Sequence, residues 1–349
     1  QEWQFTWSDS DYDKVARQAA YLLVDKILFY SLLKAKRPSL PSIVIPDDLV
    51  RGGHLQILLQ GYFNLALDID YETIYSTDFI DQTAFPDNKE VVSEIKELVS
   101  ALKKYDFSEL EYDVIGNIFE RLIPVEDQHS LGQYFTSVDV VDFILRFSLK
   151  HETEKVLDPA CGAGTFLVRA YTQKKLMNEG LHHEEILDTL WGVDIAKFPS
   201  HLATINLAIQ DLSVDKNYPN IAQEDFFNLL VTPEGFELSE KLRKIKSKRI
   251  DSKEREITYP RWFDCVVGNP PYTRQEEIQE ITGEKGYKDK LIEKSLYDIN
   301  KKKKLANISK RAGIYAYFFV HGTKFLKDEG RFGFIVSNSW LDVDYGKGL

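Results

Sequence analysis

Two consecutive prolines, Pro270 and Pro271, constrain this chain more than any other pair of residues. They follow an apolar run, residues 263–267, and Gly268. The run has the composition of a strand buried on both faces of a parallel sheet. Neither proline donates an N–H to a ladder, and each holds its own φ near −65°. Asn269 precedes a proline and is pushed out of the helical region into an extended shape. The expected product is a stiff turn at the carboxyl end of a strand. It presents the Asn269 side-chain amide, the Pro270 carbonyl and the Tyr272 ring. Two acceptors and a flat ring held still suit a planar ligand that carries an amino group.

The remainder of the 349 residues sets the context for that turn. Hydrophobic residues make up 43% and charged residues 28%, which describes a globular chain able to bury a sizeable core. No apolar run approaches the roughly 20 residues of a membrane span, so no membrane association is expected. The N-terminus shows no basic segment followed by an apolar one, and no signal peptide is read there. Cys161 and Cys265 are the two cysteines. Two cannot build a disulfide framework, and a reducing, cytoplasmic setting is expected. The net charge of −11 argues against coating nucleic acid by bulk charge, although a local basic groove remains compatible with it. The chain lacks an initiating Met and stops at Leu349, so the expectation is a piece of a longer protein.

Residues 1–128 read as a mostly helical N-terminal domain. Apolar residues at three- and four-residue spacing mark helices over 15–33, 55–67, 91–104 and 107–122, with Pro38 and Pro41 closing the first. From residue 129 strands alternate with helices. Strands are expected at 155–157, 190–193, around 223–227, at 263–267 and at 330–336. Helices are expected at 138–149, 165–178, 199–210 and 314–325. Alternation of this kind implies an α/β fold with parallel strands and right-handed crossovers. Ligands of such sheets sit at the carboxyl ends of the strands, and each unusual segment here falls at such an end.

At the first strand end, Asp158-Pro-Ala-Cys-Gly-Ala-Gly164 is a turn into a helix. Gly162 and Gly164 allow φ > 0 and close backbone approach. The spacing is not the dinucleotide GxGxxG. An acid leads, which repels a pyrophosphate and welcomes a cation. S-adenosylmethionine, with an ammonium and a sulfonium, fits better than a dinucleotide; a tight turn with a capping Asp is the plainer alternative. Asp194 ends the next strand, where an acid commonly accepts from ribose hydroxyls, and Ile195 beside it offers an apolar face for adenine. Asp225 and Phe226 follow the third strand, placed for an adenine amino group and for stacking. The plainer readings are a helix N-cap for Asp194 and, for Asp225 and Phe226, a loop acid next to a core Phe. Before all of these stand Gln133, Tyr134, Phe135 and Thr136, donor-rich and just ahead of a helix. A helix start attracts a carboxylate, and the same residues also serve as simple caps.

Read together, GQYFTS at 132–137, DPACGAGTF at 158–166 and NPPY at 269–272 resemble the N6-adenine DNA methyltransferases of restriction-modification systems. The likeness is to type I modification subunits and fused type II restriction-modification enzymes, and it extends over residues 105–349. Residues 112–120 and 315–340 look like the helices and strand that flank these motifs in that family. Ser137 departs from the family's usual proline. The family's further strands and target-recognition domain lie beyond the motifs present, so the catalytic domain, 129–349, is expected to be truncated.

The resemblance implies a Rossmann-like S-adenosylmethionine-dependent methyltransferase domain after the helical one. It implies that Gln133, Tyr134, Phe135 and Thr136 line the methionine end of S-adenosylmethionine. Asp158 takes the ammonium, Ala160, Gly162 and Gly164 approach by backbone, Asp194 holds the ribose, and Ile195, Asp225 and Phe226 surround the adenine. Asn269, Pro270, Pro271 and Tyr272 carry the chemistry on an adenine flipped from double-stranded DNA, with no metal. The expected partners are a specificity or nuclease subunit, or a fused recognition domain. Two basic stretches, 241–255 with eight Lys or Arg and 295–311, flank the NPPY strand. They read either as phosphate contacts or as solvated, partly disordered insertions. Methylation of a protein glutamine or structural RNA, and a non-catalytic assembly role, stand as the alternatives.

Overall fold

The computed structural model describes residues 9–67, 83–107, 136–212, 214, 217–229, 244–248, 254–274, 278, 281–298 and 303–342. Three helices come first: α1 (Asp9–Lys36), α2 (Gly52–Leu67) and α3 (Lys89–Leu102). Their apolar faces meet around Phe29, Leu33, Leu55, Leu59, Val92 and Val99. The helix expected over 107–122 lies outside the described residues from 108 onward.

The α/β part runs α4 (Val138–Ser148), β1 (Val156–Asp158), α5 (Thr165–Met177), α6 (His183–Leu187), β2 (Leu190–Asp194), α7 (Lys197–Ala208) and β3 (Asn220–Gln223). It continues through β4 (Lys244–Lys248), β5 (Glu254–Thr258), β6 (Phe263–Gly268), α8 (Tyr287–Leu296), α9 (Ile314–Thr323) and β7 (Leu326–Phe334). Five strands form one sheet in the order β3-β2-β1-β6-β7, and every adjacent pair is parallel. The fold is therefore mixed α/β with a parallel central sheet. Apolar side chains alternate across it. Leu157 and Val266 face a core shared with α8 and α9. Val156, Cys265 and Val267 face one shared with α4, α5 and α7. Coverage on both faces explains why β1, β2 and β6 are near-continuous apolar runs.

The topology creates the site. From β1 the chain steps outward to β2 and β3, then returns to pair β6 on the other flank of β1. A crevice opens at such a reversal, outside the carboxyl ends of the two diverging strands. Asp158 ends β1 and Gly268 ends β6.

Three features depart from the sequence expectation. The fifth strand starts earlier, at Leu326, because Phe263 pairs with Leu326 while Cys265 already pairs with Arg331. The residues between interrupt the ladder, with Glu329 at φ 62°. Helix α8 was not anticipated. The first basic stretch contains an antiparallel hairpin, β4 with β5, whose register sets Lys246 opposite Glu256 and Lys248 opposite Glu254. Trp191 Nε1 donates to the Thr258 carbonyl at 3.1 Å and Tyr259 Oη to that of Gly192 at 2.8 Å. The described residues 244–248 and 254–258 thus form an antiparallel ladder, and the chain just after it is tied to β2. No described helix is long and apolar enough to cross a membrane.

The helical layer is seated on the α/β part. Ile205 and Ala208 of α7, with Ile209 and Leu212 beyond it, belong to the same core as α1–α3. Arg37, just past α1, donates to the carbonyls of Leu212 and Val214. Ile209 is fully buried in this joint. Truncating a buried Ile to Ala costs about 2–5 kcal/mol, so Ile209→Ala should lower the unfolding free energy by that amount in a denaturant titration. A loss below about 0.5 kcal/mol, the range of a surface substitution, would show that the layer does not depend on this seat.

Candidate active site

At the end of β1, Asp158 is buried at 1% exposure. Its Oδ1 accepts from the Ala160 N–H at 3.2 Å. Burial, and then the nearby Asp194 carboxylate, push its pKa up to about 8 against the pull of that N–H. The turn after it is stitched to β2: the Cys161 N–H donates to the Val193 carbonyl at 2.9 Å. Gly162, at φ +52°, turns its N–H onto Asp194 Oδ2 at 2.9 Å. The Ala196 N–H donates to Asp194 Oδ1 at 2.8 Å. Burial raises the pKa of Asp194 to about 6, with the two N–H groups opposing the rise. A Cβ added at Gly162 would meet nothing within 4 Å, so that flank of the turn is open. Gly164 differs. It lies at φ +87°, and a Cβ there would sit 3.1 Å from the Ala203 Cα. Its smallness lets α5 start against α7.

At the end of β6, a Cβ on Gly268 would lie 2.7 Å from Asp158 Oδ1. Only a residue without a side chain leaves the Asp158 carboxylate in this place. The ladder to β7 closes with the Ile335 N–H donating to the Gly268 carbonyl at 3.0 Å; Asn269 and Pro270 lie beyond it. Asn269 is held at both ends of its amide. Nδ2 donates to Thr136 Oγ1 at 3.0 Å, and Oδ1 accepts from the Tyr272 hydroxyl at 2.8 Å. The same hydroxyl lies 3.1 Å from the Ile335 carbonyl. Tyr272 is half-buried, its ring tilted against Tyr315 at 6.5 Å.

After β3, Asp225 caps a short 3-10 turn, Phe226–Asn228, by accepting from the Phe227 N–H at 3.0 Å. The Tyr287 hydroxyl also donates to it, and burial raises its pKa. Phe226 stacks on Phe318 with centroids 5.6 Å apart and meets the edge of His321 at 4.8 Å. His321 is fully buried in α9, with Nε2 2.8 Å from the Leu229 carbonyl. A carbonyl only accepts, so the ring proton sits on Nε2. Burial, then the Lys324 charge, lower the pKa of this histidine to about 3, and it stays neutral.

These strand ends enclose a cleft of about 240 Å³. Of the residues singled out from sequence, Thr136, Asp158, Ala160, Gly162, Asp194, Ile195, Asp225, Phe226, Asn269 and Pro271 line it. Ile195 is exposed at its rim. Gly164, Pro270 and Tyr272 stand behind or beside the lining; Gln133, Tyr134 and Phe135 lie outside the described residues. The reading from sequence missed Tyr287, Phe318 and His321. The aromatic density of 315–325 around a single histidine was the available signal. Among the described residues, no group of three or more His, Cys, Asp or Glu is placed to hold a metal. The arrangement combines three acids at successive strand ends, an aromatic back wall and a rigid carboxamide.

Residues 188–349 match the family described as Eco57I restriction-modification methylase. The chain is 24% identical to the type II restriction enzyme and methyltransferase RM.Eco57I of Escherichia coli, over 79% of its own length and 32% of that protein's. It is 30% identical to the type I restriction enzyme MjaVII methylase subunit of Methanocaldococcus jannaschii, over 37% of this chain and 22% of that one. The homologues are thus methylases of type I and type II restriction-modification systems, and the chain spans about a third or less of these two. The fold is shared with the type IIG restriction endonuclease BpuSI, at a TM-score of 0.51 and 17% identity, over 93% of this chain and 32% of that one.

The contact between Gly268 and Asp158 can be tested directly. Gly268→Ala must displace the carboxylate, and overpacking of this kind costs about 1–3 kcal/mol. A destabilised variant with Asp158 moved in its crystal structure is the expected outcome. Unchanged melting with Asp158 in place would refute the close approach.

Proposed function

We propose, from the restriction-modification methylase match over residues 188–349 and the geometry of the cleft, that this chain is the catalytic part of an S-adenosylmethionine-dependent DNA adenine-N6 methyltransferase. The observation that carries the reading is the pairing of Asp158 with Asn269 across Gly268. It places a cation-seeking acid beside an amide acceptor, at the one crevice the topology opens.

The residues fit S-adenosylmethionine. Asp158 is a buried carboxyl whose ionised form has no cation beside it among the described residues, and an ammonium supplies one. Ala160 and Gly162 offer backbone on an open flank. Asp194 is oriented by two backbone N–H groups at the place where ribose hydroxyls would be held. Ile195, Asp225 and Phe226 bound the space for a flat heterocycle, with His321 and Phe318 fixing Phe226 from behind. Gln133, Tyr134 and Phe135 are assigned to the methionine end. When bound, this cofactor supplies a methyl group made electrophilic by its sulfonium.

The chain's own residues then act on the target. An amino group on adenine is a weak nucleophile because its lone pair is delocalised into the ring. Asn269 Oδ1 and the Pro270 carbonyl accept its two N–H bonds and turn the lone pair out of the ring plane. Catalysis of this kind rests on positioning and on acceptors set in advance. It needs no strong base, so the neutral, buried His321 is no obstacle. The atom is out of reach inside a duplex and the base must be flipped out. Tyr272 stacks on it, a contact worth roughly 1–3 kcal/mol. In the structure Tyr272 donates to Asn269 Oδ1, a contact given up when the ring turns to stack on the base. DNA as the carrier is supported by the names of the relatives, all restriction enzymes or their methylases. Partner subunits or a recognition domain would supply the target sequence.

Asn269→Ala should leave S-adenosylmethionine affinity within about threefold and reduce methyl transfer to DNA by on the order of a hundredfold or more. Calorimetry and mass spectrometry of N6-methyladenine in digested DNA read the two quantities. Wild-type levels of N6-methyladenine made by Asn269→Ala would sink the mechanism.

A further inference from the structure

Asn269 presents an oxygen to the target only if its amide is the right way round. An amide rotated by half a turn would set its NH2 against the target's own amino group, donor against donor. Something must hold it, and the turn that carries Asn269 supplies only half of the answer. The Tyr272 hydroxyl lies 2.8 Å from Oδ1 and 3.1 Å from the Ile335 carbonyl. The shorter distance is typical of O–H···O, so the phenol donates to Asn269 Oδ1. This contact is given up when Tyr272 turns to stack on the base. What persists is at the other end of the amide, where Nδ2 donates to Thr136 Oγ1 at 3.0 Å, a typical N–H···O distance.

From this geometry we infer that Thr136 is the positioning residue for Asn269. Its hydroxyl oxygen holds the amide nitrogen, so that Oδ1 keeps facing the target after Tyr272 lets go. Thr136 sits immediately before Ser137, the N-cap of α4. It reaches Asn269 across 133 positions of sequence. The segment before α4 and the end of β6 are thereby locked to each other. This role differs from the cofactor-carboxylate contact expected of Thr136 from sequence, because here the hydroxyl oxygen accepts from Asn269.

The inference rests on the methyltransferase reading, and two measurements separate them. The first needs no activity. In the deuterated, 15N-labelled chain, the Asn269 side-chain NH2 pair is identified by its loss in Asn269→Asp. Thr136→Val should shift that pair, whereas Thr136→Ser, which retains the hydroxyl, should leave it close to wild type. The second is methyl transfer to DNA at saturating S-adenosylmethionine. A misplaced acceptor costs on the order of a hundredfold, so Thr136→Val should lose that much in kcat while cofactor affinity changes little. Thr136→Ser should recover most of the rate. An unmoved Asn269 signal in Thr136→Val overturns the inference. So does a parallel loss of cofactor affinity and rate, which would make Thr136 a cofactor ligand. If the wild-type chain transfers no methyl to DNA, the functional reading fails, and the amide signal still decides the role of Thr136.

Discussion

The approach of Gly268 to Asp158 is the contact on which the rest of the site depends. A side chain at position 268 would begin 2.7 Å from the carboxylate, so the carboxylate can keep its place beside the end of β6 only if residue 268 has none. The parallel pairing of β1 with β6 then aligns their carboxyl ends. The two prolines stop the second strand where the acid ends the first. One acid and one amide, far apart in sequence, become neighbours. The charge consequence is immediate. Asp158 is buried, faces Asp194, and has its pKa pushed up to about 8. A site that holds an acid away from its preferred state is a site that favours an incoming cation.

The walls of the cleft are held from outside it. Asn206 of α7 donates to the Ala163 carbonyl at 2.9 Å, and Ala203 seats Gly164. On the far side of the same turn, Leu22 of α1 packs with Ala163 and Leu202. The first helix therefore reaches the back of the turn that follows Asp158, and the helical layer is a buttress as well as a neighbour. On the opposite flank, His321 ties the Phe226 turn to α9 through the Leu229 carbonyl. A neutral histidine inside an aromatic cluster acts here as a hydrogen-bonding spacer.

Much of this was legible in the sequence, for physical reasons that can be named. Asp158, Asp194, Asp225 and Asn269 were found because each ends an apolar run where Gly, Pro or a capping acid breaks the pattern. Those are local signals. The sheet class followed from alternation, and the parallel pairing from the crossovers. What stayed hidden was pairwise. Nothing in the string Val267-Gly-Asn shows that Gly268 faces Asp158, since that depends on register between distant strands. Gly164 and Gly162 read alike, yet one opens to the cleft and the other packs on Ala203. Thr136 was singled out, but its contact with Asn269 was not foreseeable. The β4–β5 hairpin was hidden because its charges masked a period-two pattern, and α8 because its apolar face is short. His321 read as one residue of an aromatic helix.

The central claim is that Asp158 waits for a cation, and proton release on cofactor binding tests it most directly. The free protein holds the Asp158 proton below about pH 8. An ammonium beside it favours the carboxylate, so the proton must leave. Calorimetric titration with S-adenosylmethionine at pH 7, in two buffers of different ionisation enthalpy, should show release of nearly one proton. Between pH 6 and 7.5 the affinity should rise, by up to about tenfold per pH unit, and Asp158→Asn should abolish the dependence. Affinity that is flat or falling over that range, with no proton released, would contradict the account.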